Sequence, residues 1–240
     1  MGGRVAAVVR SRFYFSIALA LALLVAIGFL RTFYARPFFD LPPLPTLMHV
    51  HGAVFTAWMA LFIVQTRLIA AHKVQTHRQL GVVGALLALA VFAIGVMTAF
   101  ESSLANRPRA MGLTSPQFVI VPLIGITFFA VFVALGIAFR KRAALHKRFM
   151  VLAMLAVLGP PVARLMILAG AQQHYLVIQT TVPALFVAWC LIADRLKNHI
   201  VHPVFAIGGA LLVISWPVRA MLARSDGWAV ISDWIVRHAA

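Results

Sequence analysis

The segment QFVIVPLIGITFFAVFVALGIAF, residues 117–139, contains no charged side chain. A helix needs about 20 apolar residues to cross the hydrocarbon core of a bilayer, which is about 30 Å thick. A helix also satisfies its own backbone hydrogen-bonding groups where no water is present. This segment therefore predicts a membrane-spanning helix, and the rest of the chain follows the same pattern.

Six further apolar segments of similar length occur along the chain. They cover residues 13–30, 48–70, 80–100, 149–171, 174–193 and 203–222. Of the 240 residues, 63% are hydrophobic and 11% are charged, and the mean hydropathy is +0.98. We therefore predict an all-α fold, an integral membrane bundle of seven helices in one domain of residues 1–222. The lipid bilayer that holds it is predicted to be the bacterial cytoplasmic (inner) membrane.

The formal net charge is +16, but the basic residues are dispersed among short connections. Nucleic acid would require a contiguous basic face outside the membrane, so we do not predict it as a partner. Thirteen of the 21 Lys and Arg residues lie on the N-terminal side of the predicted bundle, against one acid, Asp194. The positive-inside rule then predicts an N-terminus in the cytoplasm and a C-terminus outside.

The last residues, 225–240, form a separate segment. In SDGWAVISDWIVRH a serine precedes Trp228, Ile231 and Ile235, which would share one face of a helix. Serine is a favoured N-cap residue, and an amphipathic helix with aromatic side chains suits a membrane surface. We predict a short helix that lies in the outer membrane interface.

Seven-helix bundles include the retinal proteins, which carry a Schiff-base lysine inside their last helix. The four lysines of this chain are Lys73, Lys141, Lys147 and Lys197, and all of them lie outside the predicted spans. A retinal Schiff base is therefore excluded. The sequence also lacks a Gly-rich phosphate loop, a nucleophile elbow and a CxxC motif, which argues against soluble-cofactor enzymology.

Two histidines each begin a predicted span on the cytoplasmic side. His77 lies in THRQLGVVG at the start of the third span, and His146 lies in ALHKRFMVLAM at the start of the fifth. These two spans run in the same direction, so the side chains should lie at the same depth. An imidazole from each of two facing helices would supply both axial ligands of a b-type haem.

The neighbours of these histidines also suit a haem. Gly81 and Gly84 follow His77 at i+4 and i+7, which leaves a strip without side chains where a planar ring can lie. Basic side chains near the water interface would pair with the haem propionates, and the candidates are Arg78, Lys147 and Arg148. Ordinary helix packing and interfacial polarity would account for the same residues without a cofactor.

The stretch LMHVHGAVFTAWMALFIVQTRLIAAHKVQTHRQLGVVGALLALAVFAIG, residues 47–95, resembles the two-helix core of the ascorbate-reducible transmembrane cytochromes b. In that family four consecutive helices carry the ligands, and the second helix pairs with the fourth and the third with the fifth. The resemblance implies that His77 and His146 form one axial pair. It also implies a partner for His51 on the fourth helix, but residues 117–139 contain no histidine. The HRxLG and HKRxM elements further resemble an uncharacterised group of bacterial seven-helix membrane proteins.

On the outer side, polar residues gather near the ends of several spans. They are His51, Glu101, Arg164, His174 and Arg219. Both arginines follow prolines inside predicted spans, and such breaks are tolerated in a membrane where they are buried or line a cavity. We predict an outer pocket for a quinone head group, a small anionic ligand, or a metal bound by His51, His174 and Glu101. Pairing of Glu101 with Arg164 or Arg107 is the alternative.

The leading functional prediction is a membrane-embedded b-type haem protein that carries out transmembrane or quinone-linked electron transfer. A second class is a seven-helix membrane hydrolase that uses zinc or another divalent metal, with His199, His202 and His72 as candidate ligands. A third is a non-catalytic assembly or sensor subunit with other membrane subunits as partners. The sequence does not decide whether the protein is an enzyme.

Overall fold

The computed structural model describes residues 2–104 and 109–239, with side chains at all of these positions except 2–12, 197, 198, 236 and 239. These residues form ten α-helices and no β-strand, so the predicted all-α fold is confirmed for this part of the chain. The helices are α1 Gly2–Phe29, α2 Thr46–Ala70, α3 Val74–Leu104, α4 Ser115–Phe118, α5 Ile120–Ala138, α6 Ala143–Ala156, α7 Gly159–Leu168, α8 Tyr175–Asn198, α9 Pro203–Ala223 and α10 Asp226–Ala239.

Six helical segments of the described chain are long and apolar enough to cross a membrane. They are Phe13–Tyr34, Thr46–Ala70, Val74–Leu104, Ser115–Ala138, Gln172–Leu196 and Pro203–Ala223. A seventh span results if α6 and α7, which are bent by 42° at their junction, are taken as one. These lengths and compositions support an integral membrane protein. The count of seven and the cytoplasmic N-terminus stay predictions.

The predicted span 149–171 is divided by the sequence Gly159-Pro160-Pro161. Proline has no backbone N–H and cannot continue a hydrogen-bonded helix, but it fits the first turn of a new one. Accordingly α6 ends at Ala156 and α7 begins at Gly159. The side-chain Nε2 of Gln179 in α8 donates a 2.9 Å hydrogen bond to the carbonyl oxygen of Gly159. The break is therefore held by polar contacts inside the bundle.

The helices pack around α5 and α6 at the centre of the bundle. α5 packs against α3, α6 and α9, while α1 packs against α2 and α7, and α8 packs against α9. Short turns connect the antiparallel neighbours, so the bundle has two ends. The basic end carries the connections 71–73, 139–142 and 199–202, and the opposite end carries residues 30–45, 109–114 and 169–174.

The terminal helix α10 lies at the opposite end of the bundle, against α4. Trp228 Nε1 donates a 2.9 Å hydrogen bond to the carbonyl oxygen of Gln117, and Ser232 is buried. Val230, Ile231 and Trp234 are exposed. A helix is thus present in the predicted segment 225–240, although Ile231 does not share the packed side of Trp228. Its contact with the membrane interface stays a prediction.

Arg148 does not lie at the water interface, where the sequence analysis expects it. The guanidinium is buried and forms a two-pronged salt bridge with Asp194 of α8, at 2.9 Å from Nε to Oδ2 and 2.5 Å from Nη2 to Oδ1. Its Nη1 donates to the carbonyl oxygen of Ala144. The side chains of His146 and Arg148 point to different sides of α6, because two residues correspond to about 200° of rotation around a helix.

We predict that Asp194→Asn lowers the free energy of unfolding by about 3 kcal/mol or more, because Arg148 is left as a buried charge without a counter-ion. The double variant Arg148→Met, Asp194→Leu removes both charges and should recover most of the stability. Unfolding by heat or by SDS in detergent micelles measures all three proteins. If the Asp194→Asn protein is as stable as the original chain, loss of the counter-ion of Arg148 does not destabilise the protein and the prediction is wrong.

Candidate functional site

The structure brings His77 and His146 together at the basic end of the bundle. His77 lies in the first turn of α3 and His146 in the first turn of α6, and both side chains are half-buried. Their ring centroids are 6.1 Å apart, and the ring planes are inclined at 80°. The two residues that the sequence pairs as ligands are therefore neighbours in space.

This separation suits two imidazoles that share one metal ion. A metal at about 2.0 Å from one nitrogen of each ring places the two ring centroids about 6 Å apart. The Nδ1 atom of His146 lies 2.8 Å from the carbonyl oxygen of Gly136 in α5. A carbonyl only accepts hydrogen bonds, so Nδ1 carries the proton and Nε2 of the neutral ring keeps its lone pair. Ligating histidines are commonly oriented in this way.

Two buried polar atoms near His77 have no hydrogen-bond partner among the described residues. They are Nδ1 of His77 itself and Oε1 of Gln65 in α2. The backbone of Gln65 lies within hydrogen-bonding reach of the His77 ring, so α2 and α3 are in contact here. Buried polar atoms in proteins are normally hydrogen-bonded to protein, water or a ligand, so this pair is a candidate place for a ligand.

The predicted glycine strip is only partly open. A Cβ atom on Gly81 would meet nothing within 4 Å, whereas a Cβ on Gly84 would lie 3.3 Å from Cδ2 of Leu61 in α2. Gly84 therefore allows α2 and α3 to pack closely. Among the predicted cations, Arg78 is exposed and Lys147 lies with Nζ 4.8 Å from the centre of the Tyr14 ring. Arg148 is occupied by Asp194.

The five residues of the predicted outer pocket do not form one site. His51 and Arg164 are electrostatic neighbours, as the sequence analysis expects. Arg219 instead contacts Val121 of α5, Ser215 of α9 and Tyr175 of α8. Glu101 and His174 are both exposed. Arg107, the alternative partner of Glu101, lies outside the described residues.

His51 is held between α2 and α3. Its Nδ1 lies 3.1 Å from the hydroxyl of Thr98, and its ring stacks on Phe55 at a centroid distance of 4.1 Å. The Thr98 hydroxyl points its hydrogen toward carbonyl oxygens of its own helix, at 2.9 and 3.0 Å. Nδ1 of His51 therefore donates to Thr98, and Nε2 of the neutral ring remains a proton acceptor.

Arg164 of α7 lies near His51. Its Nε donates to the hydroxyl of Thr32 at 3.2 Å, and its Nη1 donates to the carbonyl oxygen of Pro160 at 3.2 Å. The guanidinium carbon lies 4.3 Å from the centre of the Phe29 ring. The carbonyl group of Pro160, in the first turn of α7, thus helps to hold the guanidinium in place. His51 and Arg164 together provide a proton acceptor and a cation at the opposite end.

Arg219 lies in a different cluster that the sequence analysis missed in part. The guanidinium carbon is 4.4 Å from the centre of the Trp216 ring, and Nη2 donates a 3.0 Å hydrogen bond to Ser215. Tyr175 and Gln179 of α8 complete the cluster. The signal in the sequence was the i, i+4 spacing of Tyr175 and Gln179 at the start of an apolar span.

The three histidines proposed for a hydrolytic metal do not assemble. Within residues 2–104 and 109–239, no group of three or more His, Cys, Asp or Glu side chains could hold a metal ion. His72 and His199 occupy left-handed backbone positions, with φ of 60° and 59°. His202 is the N-cap of α9, where its Nδ1 accepts a 3.2 Å hydrogen bond from the backbone N–H of Val204. These residues end or begin helices.

Comparisons with known proteins do not assign this chain to a family. No known protein family, no curated protein and no solved structure matches it. The resemblance to the ascorbate-reducible cytochromes b therefore stays a prediction. The functional argument rests on the side chains that the structure brings together.

We predict that protonation of His202 destabilises the protein. Burial lowers the pKa of His202 below its usual value of 6.5, and the nearby charge of Arg148 acts in the same direction, while Asp194 opposes both. The unfolded chain then binds the proton more readily than the folded chain. The stabilisation that the neutral cap provides is present above about pH 6.5 and is lost as the pH falls below it.

The matched variant is His202→Asn, because asparagine can accept the same capping hydrogen bond without titrating. We expect the melting temperature of the original chain to fall more steeply between pH 7 and pH 5 than that of His202→Asn. Thermal unfolding in detergent at several pH values measures the difference. If the melting temperatures of the two proteins depend on pH to the same extent, protonation of His202 is not the cause of the destabilisation.

Proposed function

We propose that His77 and His146 are the axial ligands of one b-type haem and that the protein transfers electrons in the membrane. The observation that carries this proposal is the 6.1 Å separation of the two ring centroids at the basic end. The hydrogen bond from His146 Nδ1 to the carbonyl oxygen of Gly136 supports it, because it directs Nε2 toward a ligand.

A haem fits this pair of ligands better than a bare metal ion does. Two imidazoles provide two coordination positions, and no third His, Cys, Asp or Glu joins them among the described residues. A porphyrin supplies four nitrogens of its own, so two protein ligands complete the iron. Gly81 is exposed and a Cβ there would meet nothing within 4 Å, so part of a planar ring could lie against the outside of α3 at this position.

Two of the predicted cations adjoin the two histidines in the sequence. Arg78 follows His77 directly and is exposed, and Lys147 follows His146 directly with its ammonium group over the Tyr14 ring. Cations near carboxylates form strong hydrogen bonds, and their position at the basic end would direct the propionates toward water. The positive-inside rule predicts that this end faces the cytoplasm.

When bound, the haem supplies reversible one-electron chemistry, and the protein supplies its ligands and a low-dielectric environment.

A membrane quinone is the partner that we propose at the opposite end. Nε2 of His51 can accept one of the two protons that a quinol releases on oxidation, and Arg164 can donate to a quinone carbonyl. His51 and Gln65 are 14 residues apart in α2, or about 21 Å along the helix. Buried Trp58 and Phe62 occupy the interior between them.

We expect the purified protein, expressed with haem supplied, to show a Soret band in the oxidised state and sharp α and β bands after reduction with dithionite. His77→Ala and His146→Ala should each lose these bands, because each removes one axial ligand. The control is His72→Asn, which changes an exposed histidine at the same end, and asparagine tolerates its left-handed backbone. This control should keep the full spectrum.

A colourless protein that is folded by circular dichroism and monodisperse would refute the haem proposal. Metal analysis of the same sample then distinguishes the remaining classes. Stoichiometric zinc would favour the hydrolase, and the absence of metal would favour a non-catalytic subunit.

A further inference from the structure

Arg219 is a buried cation near the opposite end of the bundle. It lies in α9, one turn before Ala223, and only 3% of its surface is exposed. Nη2 donates to Ser215 Oγ at 3.0 Å, and Nη1 reaches the carbonyl oxygen of Val121 at 3.5 Å. Nε is buried and has no hydrogen-bond partner among the described residues. At least the Nε–H group of this guanidinium therefore has no acceptor among the described residues.

Within residues 2–104 and 109–239, no acidic side chain forms a salt bridge with this charge. All five acidic residues lie within the described ranges, and they are Asp40, Glu101, Asp194, Asp226 and Asp233. Asp194 is paired with Arg148, and the other four are exposed. Charged side chains inside a membrane are normally paired, since an isolated buried charge is strongly unfavourable. An anion that does not belong to the polypeptide would meet this requirement.

A second buried side chain near Arg219 has a polar atom without a hydrogen-bond partner among the described residues. Gln179 of α8 is fully buried, and its Nε2 donates to the carbonyl oxygen of Gly159, but its Oε1 has no partner among the described residues. Tyr175 links the two, because it interacts with both the Gln179 side chain and Arg219. The cluster therefore offers an unused N–H donor, an unused carbonyl acceptor and a tyrosine beside them.

The packing also leaves space for the guanidinium. A Cβ atom on Gly125 of α5 would lie 3.4 Å from Nη1 of Arg219 and 3.1 Å from the carbonyl oxygen of Ala156. Glycine at this position lets the arginine lie flat between α5 and the Trp216 ring. The site is thus built from four elements, namely α5, α8, α9 and the break between α6 and α7.

We propose that this cluster binds a small oxyanion that keeps one O–H group, the chemical class of bicarbonate and hydrogen phosphate. The planar guanidinium fork matches two oxygens of such an anion. The O–H group of the same anion can donate to Oε1 of Gln179, which a fully deprotonated oxyanion or a halide cannot do. The site is independent of the proposed haem, which lies at the other end of the bundle.

The test uses the full-length protein in detergent with a zwitterionic buffer. Bicarbonate, phosphate and chloride are titrated separately at constant ionic strength, and the melting temperature is recorded. We expect a saturable rise with bicarbonate or phosphate and at least a tenfold weaker response to chloride. Arg219→Gln should abolish the saturable rise. The control is Arg224→Gln, which removes the same charge from an exposed position one turn further along the chain and should keep the response.

Gln179→Leu provides a second variant in case Arg219→Gln does not fold. This variant keeps the Arg219 cation and removes the Oε1 acceptor. We therefore expect the concentration of bicarbonate or phosphate that gives half of the rise in melting temperature to increase at least tenfold. The proposal is overturned if the original chain shows no saturable response. It is also overturned if chloride acts as well as the oxyanions, or if a folded Arg219→Gln protein responds like the original.

Discussion

A charge or polar group inside a bilayer has no water to interact with, so its partner must come from the protein or from a ligand. The buried pair of Arg148 and Asp194 meets this requirement within the chain, since both oxygens of the carboxylate accept from one guanidinium. Two other places do not meet it. They are the region of His77 and Gln65 at the basic end and the region of Arg219 and Gln179 at the opposite end. The haem and oxyanion proposals concern these two places.

The fold positions both places through the same central helices. At the basic end, the carbonyl group of Gly136 in α5 fixes the ring of His146 in α6, so that it faces His77 of α3. At the opposite end, the carbonyl group of Gly159, the first residue of α7, holds Gln179 beside the arginine cluster. The break between α6 and α7 places this residue at the start of a new helix.

The sequence predicted the features that depend on one helix at a time. Apolar length predicts the spans, Gly-Pro-Pro predicts the break, and the direction of two parallel spans places His77 and His146 at equal depth. The sequence could not show which helices are neighbours. The outer-pocket prediction therefore grouped residues with different neighbours, since Arg164 contacts Phe29 and lies near His51, whereas Arg219 contacts α5 and α8. Arg148 was misplaced because nearness to His146 along the chain does not give nearness on the helix surface.

The central claim is that His77 and His146 bind the same iron. Low-temperature electron paramagnetic resonance of the oxidised, haem-loaded protein tests it directly, because the signal depends on both axial ligands and on the angle between their planes. The ring planes are inclined at 80°, so we predict a low-spin, strongly anisotropic ferric signal of the kind that nearly perpendicular imidazoles give. A high-spin signal, or a low-spin signal that survives in both His77→Ala and His146→Ala, would contradict the account.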